Sequence, residues 1–164
     1  MVAVEKIVEM LALWTARIAQ VALFVVTGII ILNILLRTPW GPLPGTYEMT
    51  EALGAVLMGL GVAYCAVMKG HVSVSILVDK FSPRVQALVD TCTNIIAFIF
   101  VGAVGRELFH YAGHLQERGY ETTQLGLPQF PFYYLVAIGL LMLSIVLLLE
   151  VVRSLITFYK EVRK

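Results

Sequence analysis

The sequence has little charge. Lys, Arg, Asp and Glu supply 14% of its 164 residues and hydrophobic residues 59%, where soluble domains carry about 25% and about 45–50%. An ordinary water-soluble domain is excluded. The formal net charge is only +1, so the concentrated basic patch that nucleic acid requires is missing and no nucleic-acid partner is expected. Cysteine is scarce too. Cys65 and Cys92 stand far apart in apolar runs, with no CxxC and no zinc spacing, and are expected to be buried as small hydrophobes. No nucleophile–base pair, glycine-rich phosphate loop or carboxylate cluster occurs, so no catalytic residue is assigned and the chain is not expected to be an enzyme.

Histidine is equally sparse. His110 and His114 share one helix at i, i+4 and cannot ligate opposite faces of a haem; His71 belongs to the other side of the membrane. The two could form a metal site with Glu107 or Glu117, but the preferred expectation is no metal and no bound cofactor.

What the sequence does have is long apolar runs. Four segments, about 18–36, 47–68, 85–104 and 130–149, are each close to the 20 or so residues that cross about 30 Å of hydrocarbon. The links between them are too short for separate domains. The expectation is one all-α integral membrane domain over residues 1–164. Glu5 and Glu9 stand where a signal peptide would be basic, and no small-residue cleavage site follows, so the first span is expected to persist.

Basic residues set the orientation. Lys6, Arg17, Lys69, Lys80, Arg84, Arg153, Lys160, Arg163 and Lys164 fall on one side, and Arg37, Arg106 and Arg118 on the other. Nine against three predicts both termini and the Lys69–Pro83 link in the cytoplasm. Phe130, Phe132, Tyr133 and Tyr134 suit an aromatic belt at the outer start of span four, and Trp40 lies in the outer first link.

Local signals refine the helices. Ser82-Pro83 is a helix start and Arg118-Gly119 a stop. A helix filling that interval is about 54 Å long, so it must tilt, bend near Gly102 or Gly105, or project from the membrane. Its outer part, "RELFHYAGHLQER", is amphipathic, with Leu108, Phe109, Ala112 and Leu115 opposed by charge. Thr46 is the expected N-cap of span two, placing Glu48 and Glu51 in its first turns, where carboxylates favour the helix dipole. Pairing with a partner is the alternative for both.

Span two carries a stripe of small residues, Ala52, Ala55, Gly59, Ala63 and Ala66, on one face. It suits either packing within the chain or contact with another subunit. Asp90 and Asn94, also at i, i+4, suit an interhelical hydrogen bond or, less simply, a proton relay; Asn33 suits packing. Arg17 and Glu150 sit near cytoplasmic ends, where long side chains snorkel. In "KGHVSVSILVDKFSP", Gly70 can end span two. Val72, Val74, Ile76, Leu77, Val78 and Phe81 can then enter the lipid boundary or a partner groove, while Lys69, His71, Asp79 and Lys80 stay at the polar edge. A short interfacial helix is preferred there over a short strand at Val72–Ile76.

Taken together, "NILLRTPWG", "YEMTEALGAVLMGLGVAYCAVMKGHVSV", "DKFSPRVQALVD" and "TTQLGLPQFPFYYLVAIGLLML" cover nearly all of the chain. They resemble the small membrane subunit (Q-type, DctQ-like) of tripartite ATP-independent periplasmic (TRAP) transporters. The resemblance implies a non-catalytic scaffold in a bacterial or archaeal inner membrane. Its partners would be a large elevator-type membrane subunit, at one to one, and a periplasmic solute-binding protein that delivers an organic acid anion. Sodium would be bound by the large subunit and not by this chain. Glu48, Glu51, Ala52, Ala55, Gly59, Ala63, Lys69, Gly70, His71 and Asp79 become candidates for the partner interface. Arg37, Trp40 and Arg118 become candidates for periplasmic docking, and membrane lipid covers the remainder.

Two other classes compete. A proton-coupled homo-oligomeric exporter would use Glu48 or Glu51, but charge asymmetry opposes antiparallel pairing and both glutamates lie near a span end. A redox-complex membrane anchor would need a haem or quinone site, which the histidine placement does not favour. Scaffolding also agrees with the lack of an internal repeat and of paired Gly/Pro interruptions, which secondary transporters commonly use to build a mid-membrane site.

Overall fold

The computed structural model describes residues 2–68 and 83–162. Four helices account for most of them: α1 (Val2–Trp40), α2 (Thr46–Val67), α3 (Pro83–Arg118) and α4 (Phe130–Val162). All four are long and apolar enough to cross a membrane. The four expected spans are present, and α3 fills the whole Pro83–Arg118 interval as 36 residues.

Two helices are longer than their apolar windows. α1 has 39 residues and begins well before the expected span; α4 has 33 and continues past Leu149. Hydropathy marks where a helix meets hydrocarbon, whereas backbone hydrogen bonding continues through Lys6, Arg17, Glu150 and Arg153 because nothing there breaks it. Glu150 is therefore inside α4, paired with Arg153 one turn on at 2.9 Å. Arg17 lies 5.8 Å from the Trp14 ring centre, a cation–π geometry.

Glycine follows the last residue of two helices, at Gly119 as expected and at Gly41, where no stop was expected. Gly41, at φ 89°, donates to the Arg37 carbonyl (3.2 Å) and closes α1 one residue past Trp40. Gly119, at φ 63°, donates to Gln116, while Tyr120 donates to Leu115 at 3.1 Å. That pair of bonds is a Schellman motif, and it satisfies carbonyls that α3 would otherwise leave bare. The start of α2 differs from expectation. Its N-cap is Gly45, and Thr46 instead donates its hydroxyl back to the Leu43 carbonyl at 2.9 Å.

α2 lies between α1 and α4, and α3 packs extensively against α4 alone. The core is thin and built from small residues. On α1 the buried face is Val8, Ala12, Ala16, Ala19, Ala22 and Val26, spaced three or four apart. It meets Val56, Leu60, Ala63 and Ala66 of α2, which in turn meet Val136, Met142, Leu143 and Val146 on α4. Leu60 is the largest fully enclosed side chain among the described residues. Lipid is as apolar as leucine, so membrane helices associate through close van der Waals contact, which small residues permit.

The closest contact is at a glycine pair. A Cβ on Gly59 would lie 2.9 Å from the Val136 Cα, and one on Gly139 would overlap the Gly59 carbonyl. Gly102 and Gly105, expected as bend points, serve similar contacts against Ser144 and against Leu140 and Leu141. Cys65 and Cys92 are exposed on the helix surfaces, not buried. In a chain whose large apolar residues are mostly outward, such as Phe24 at 79% and Met58 at 78% exposure, a cysteine gains nothing by turning inward.

Candidate functional site

The C-termini of α1 and α3 and the N-termini of α2 and α4 gather at one end, with two loops between them. The first loop, 41–45, is tied back to α1 because the Leu43 amide donates to the Asn33 Oδ1 at 2.9 Å. The second, 119–129, folds on itself. Thr122 exchanges bonds with Leu127, Gly126 donates to the Thr122 carbonyl, Gln129 donates to the Tyr120 carbonyl, and Glu121 bridges antiparallel to Pro128. It leads into α4 at Phe130, as the aromatic run suggested.

Glu48 joins the two loops. Its Oε1 accepts the Gln124 amide at 2.8 Å and its Oε2 the Leu125 amide at 3.2 Å. In return, the Gly45 amide donates to the Gln124 Oε1 at 2.7 Å. Three hydrogen bonds therefore clamp Gln124 and Leu125 onto the N-terminus of α2. Gly45 is required twice over. Its φ is 75°, and a Cβ there would fall inside the Leu125 side chain.

Beside this clamp is a cleft of about 440 Å³ between α2, α3, α4 and the second loop. Glu48, Glu51 and Tyr47 form its polar wall, and Ala52, Ala55 and Phe132 part of its apolar one. No lysine or arginine lines it. Three of the interface candidates, Glu51, Ala52 and Ala55, thus share a surface opening with Glu48. Gly59 and Ala63 are elsewhere: both are buried, Gly59 against α4 and Ala63 in the core shared with α1 and α4. The small-residue stripe therefore divides, its part nearest the loops open and its remainder used within the chain.

Arg37, in the last turn of α1, and Arg118, the last residue of α3, are exposed at the same end. Trp40 ends α1 there. Lys69, Gly70, His71 and Asp79 lie outside the described residues. The aromatic residues interlock near the clamp, with Phe109 edge-on to Tyr134 at 4.9 Å and Tyr111 to Tyr133 at 5.5 Å. Ala112 and Leu115, from the amphipathic part of α3, are buried. His110 and His114 face outward, His114 within 3.7 Å of Glu117. Among the described residues no three His, Cys, Asp or Glu side chains come together as metal ligands.

A family model described as tripartite ATP-independent periplasmic transporters, DctQ component, matches residues 26–157. The chain belongs to this family. No curated protein and no solved structure matches it significantly. The DctQ family is a transporter-component family and not an enzyme family, and its members associate with a large TRAP membrane subunit and a binding protein. The match reaches from the middle of α1 to the end of α4's apolar stretch and includes both loops of the clamp. With its four apolar helices, the chain is a multi-pass protein of the inner membrane.

The clamp was not foreseeable from local signals. Glu48 in a first turn already has a sufficient local explanation in the helix dipole, and its partners lie 76 and 77 residues away. The pairing of a first-turn carboxylate with "TTQLG" amides has no periodicity to reveal it.

Proposed function

We propose that this chain is the non-catalytic scaffold subunit of a sodium-coupled, binding-protein-dependent importer of an organic acid anion. It braces a large elevator-type subunit at one to one and helps present a docking face to the binding protein. The sodium and substrate sites belong to the large subunit. Both termini are cytoplasmic on this reading, which turns the clamped loops, Arg37 and Arg118 towards the periplasm.

One observation supports this reading most: membership in the DctQ family is combined with four uninterrupted helices among the described residues. A transporter that binds its own substrate commonly unwinds helices at mid-membrane to expose backbone dipoles. Here α2 and α4, the central pair, cross on close-packed glycines and leave no room between them for a solute at that level. The cleft that does exist is at the loop end and has an acidic wall, which suits a basic side chain of a partner better than an organic anion.

Reconstituted uptake tests the proposal. Vesicles holding this chain and the large subunit, supplied with binding protein and a sodium gradient, should accumulate substrate. Vesicles holding this chain alone should not. Sodium- or proton-driven flux through this chain alone would contradict the scaffold role.

A further inference from the structure

We infer that the cleft beside the Glu48 clamp is a lipid site. It takes one phospholipid whose headgroup ends in a primary ammonium, the chemistry of phosphatidylethanolamine, from the leaflet on the loop side. This requires only that the chain spans a membrane, and it holds whether or not the chain is a scaffold.

The first ground is how the cleft opens. α2 and α3 both pack on α4 and scarcely touch each other. A slot therefore runs between them with α4 as its floor, and the cleft of about 440 Å³ is the loop end of that slot. Thr122 and Thr123, in the loop that Glu48 holds down, bound it on the aqueous side. The side left open is the gap between α2 and α3, which faces the bilayer.

The second ground is that the lining is sorted by depth. Glu48 and Glu51, in the first two turns of α2, and Gln129, just before α4, are polar. Further in come Ala55, Leu108 and Val136. Val136 is six residues into α4, about 9 Å at 1.5 Å per residue. Tyr47 and Tyr133 line the mouth, and tyrosine in a membrane protein marks the level of the headgroups. A polar mouth at that level above an apolar slot matches an amphiphile, with its head at the loops and an acyl chain between α2 and α3.

Charge selects the headgroup. The two glutamates differ in what they already hold. Glu48 accepts the Gln124 and Leu125 amides. Glu51, one turn on, is exposed and has no hydrogen-bond or ion-pair partner among the described residues. No lysine or arginine lines the cleft, so the counter-charge has to come from the ligand. A primary ammonium supplies it together with N–H donors, the strong charge-assisted kind of hydrogen bond. Basic pockets at membrane surfaces select anionic headgroups; this acidic one repels them. Choline carries the charge but has no N–H to donate. The phosphate next to the ammonium can accept from the Thr123 and Tyr47 hydroxyls at the same mouth. A basic side chain of a partner carries the same charge, but it would have to enter past the clamped loop, whereas the open side meets lipid.

Native mass spectrometry of the full chain tests this. The protein is purified in mild detergent, freed of lipid, and titrated with phosphatidylethanolamine, phosphatidylglycerol or phosphatidylcholine of identical acyl chains. The expected result is one bound phosphatidylethanolamine, at a concentration at least fivefold below that needed for either other lipid. E51Q should abolish the preference; because Glu51 is exposed and unpaired, this variant keeps the fold, which an unchanged unfolding midpoint verifies. A55W should fill the slot and remove the adduct. E117Q, near the end of α3 and outside the cleft, should retain both. Position is read separately, in vesicles of phosphatidylethanolamine and phosphatidylglycerol. A phosphatidylethanolamine with a photoreactive diazirine on one acyl chain should label peptides containing Ala55, Leu108 or Val136, and do so at least fivefold less in E51Q. Equal binding of the three lipids, an undiminished preference in folded E51Q, or labelling confined to the α1 face around Phe24 would each overturn the inference. So would an assembled complex in which a partner's lysine or arginine crosslinks to Glu51 and no phosphatidylethanolamine is retained.

Discussion

Gly139 of α4 meets Gly59 of α2 backbone to backbone, so closely that a methyl group on Gly139 would overlap the Gly59 carbonyl. This contact sets the distance between the two central helices. Replacing Gly139 with leucine should separate them and loosen the core around Leu60 and Ala63. Overpacking of a tight contact costs about 1–3 kcal/mol. Thermal unfolding of the purified protein in mild detergent should show a lower midpoint for G139L and G59V. G54A, at a position with no neighbour within 4 Å of a built Cβ, should match the unmodified protein.

The Glu48 clamp predicts a local effect. Glu48→Ala removes the acceptor of the Gln124 and Leu125 amides without disturbing the bonds within the second loop. Hydrogen exchange should quicken at least tenfold at those two amides and change little at Thr122, whose amide is held by Leu127. Unchanged exchange at Gln124 and Leu125 would show that the carboxylate does not hold the loop.

Two glycines with left-handed backbones should respond unequally to the same change. Gly119→Ala meets open space at φ 63° and should cost about 1 kcal/mol, the ordinary penalty of that conformation. Gly45→Ala meets the Leu125 side chain as well, so it should cost more and should also free the second loop. Unfolding midpoints for the two variants check the order.

Much of this architecture is legible in the sequence, for identifiable reasons. Apolar runs locate the spans because the bilayer selects for them. Gly119 and Pro83 mark helix ends because each acts on its own backbone. What escapes local reading is everything decided by distant partners. Glu48 gives no hint that its acceptors will be used by residues beyond position 120. The alanine ladder on α1, from Ala12 to Ala22, is hidden in a helix that is apolar all round. Gly139 looks like any glycine in a membrane span until α4 is laid against α2. The extensions of α1 and α4 escape because a hydropathy window stops at the first charges, although the helix does not.

Charge asymmetry predicts orientation. A green fluorescent protein fused after Lys164 should fluoresce, and a periplasmic phosphatase fused at the same point should be inactive. Fused instead within the second loop, near Leu125, the phosphatase should be active. The reverse pattern would place the clamped loops in the cytoplasm and remove them from contact with any periplasmic partner.

The central claim is that this chain works as a fixed partner of a larger membrane protein. The most direct test is to tag it, express it with its neighbouring genes in its own host, solubilise in mild detergent and determine what copurifies and in what ratio. A many-span membrane protein at one to one is the predicted result. A clean homo-oligomer of this chain, with no larger partner, would contradict the account and turn attention to Glu48 and Glu51 as proton-linked groups of a small exporter.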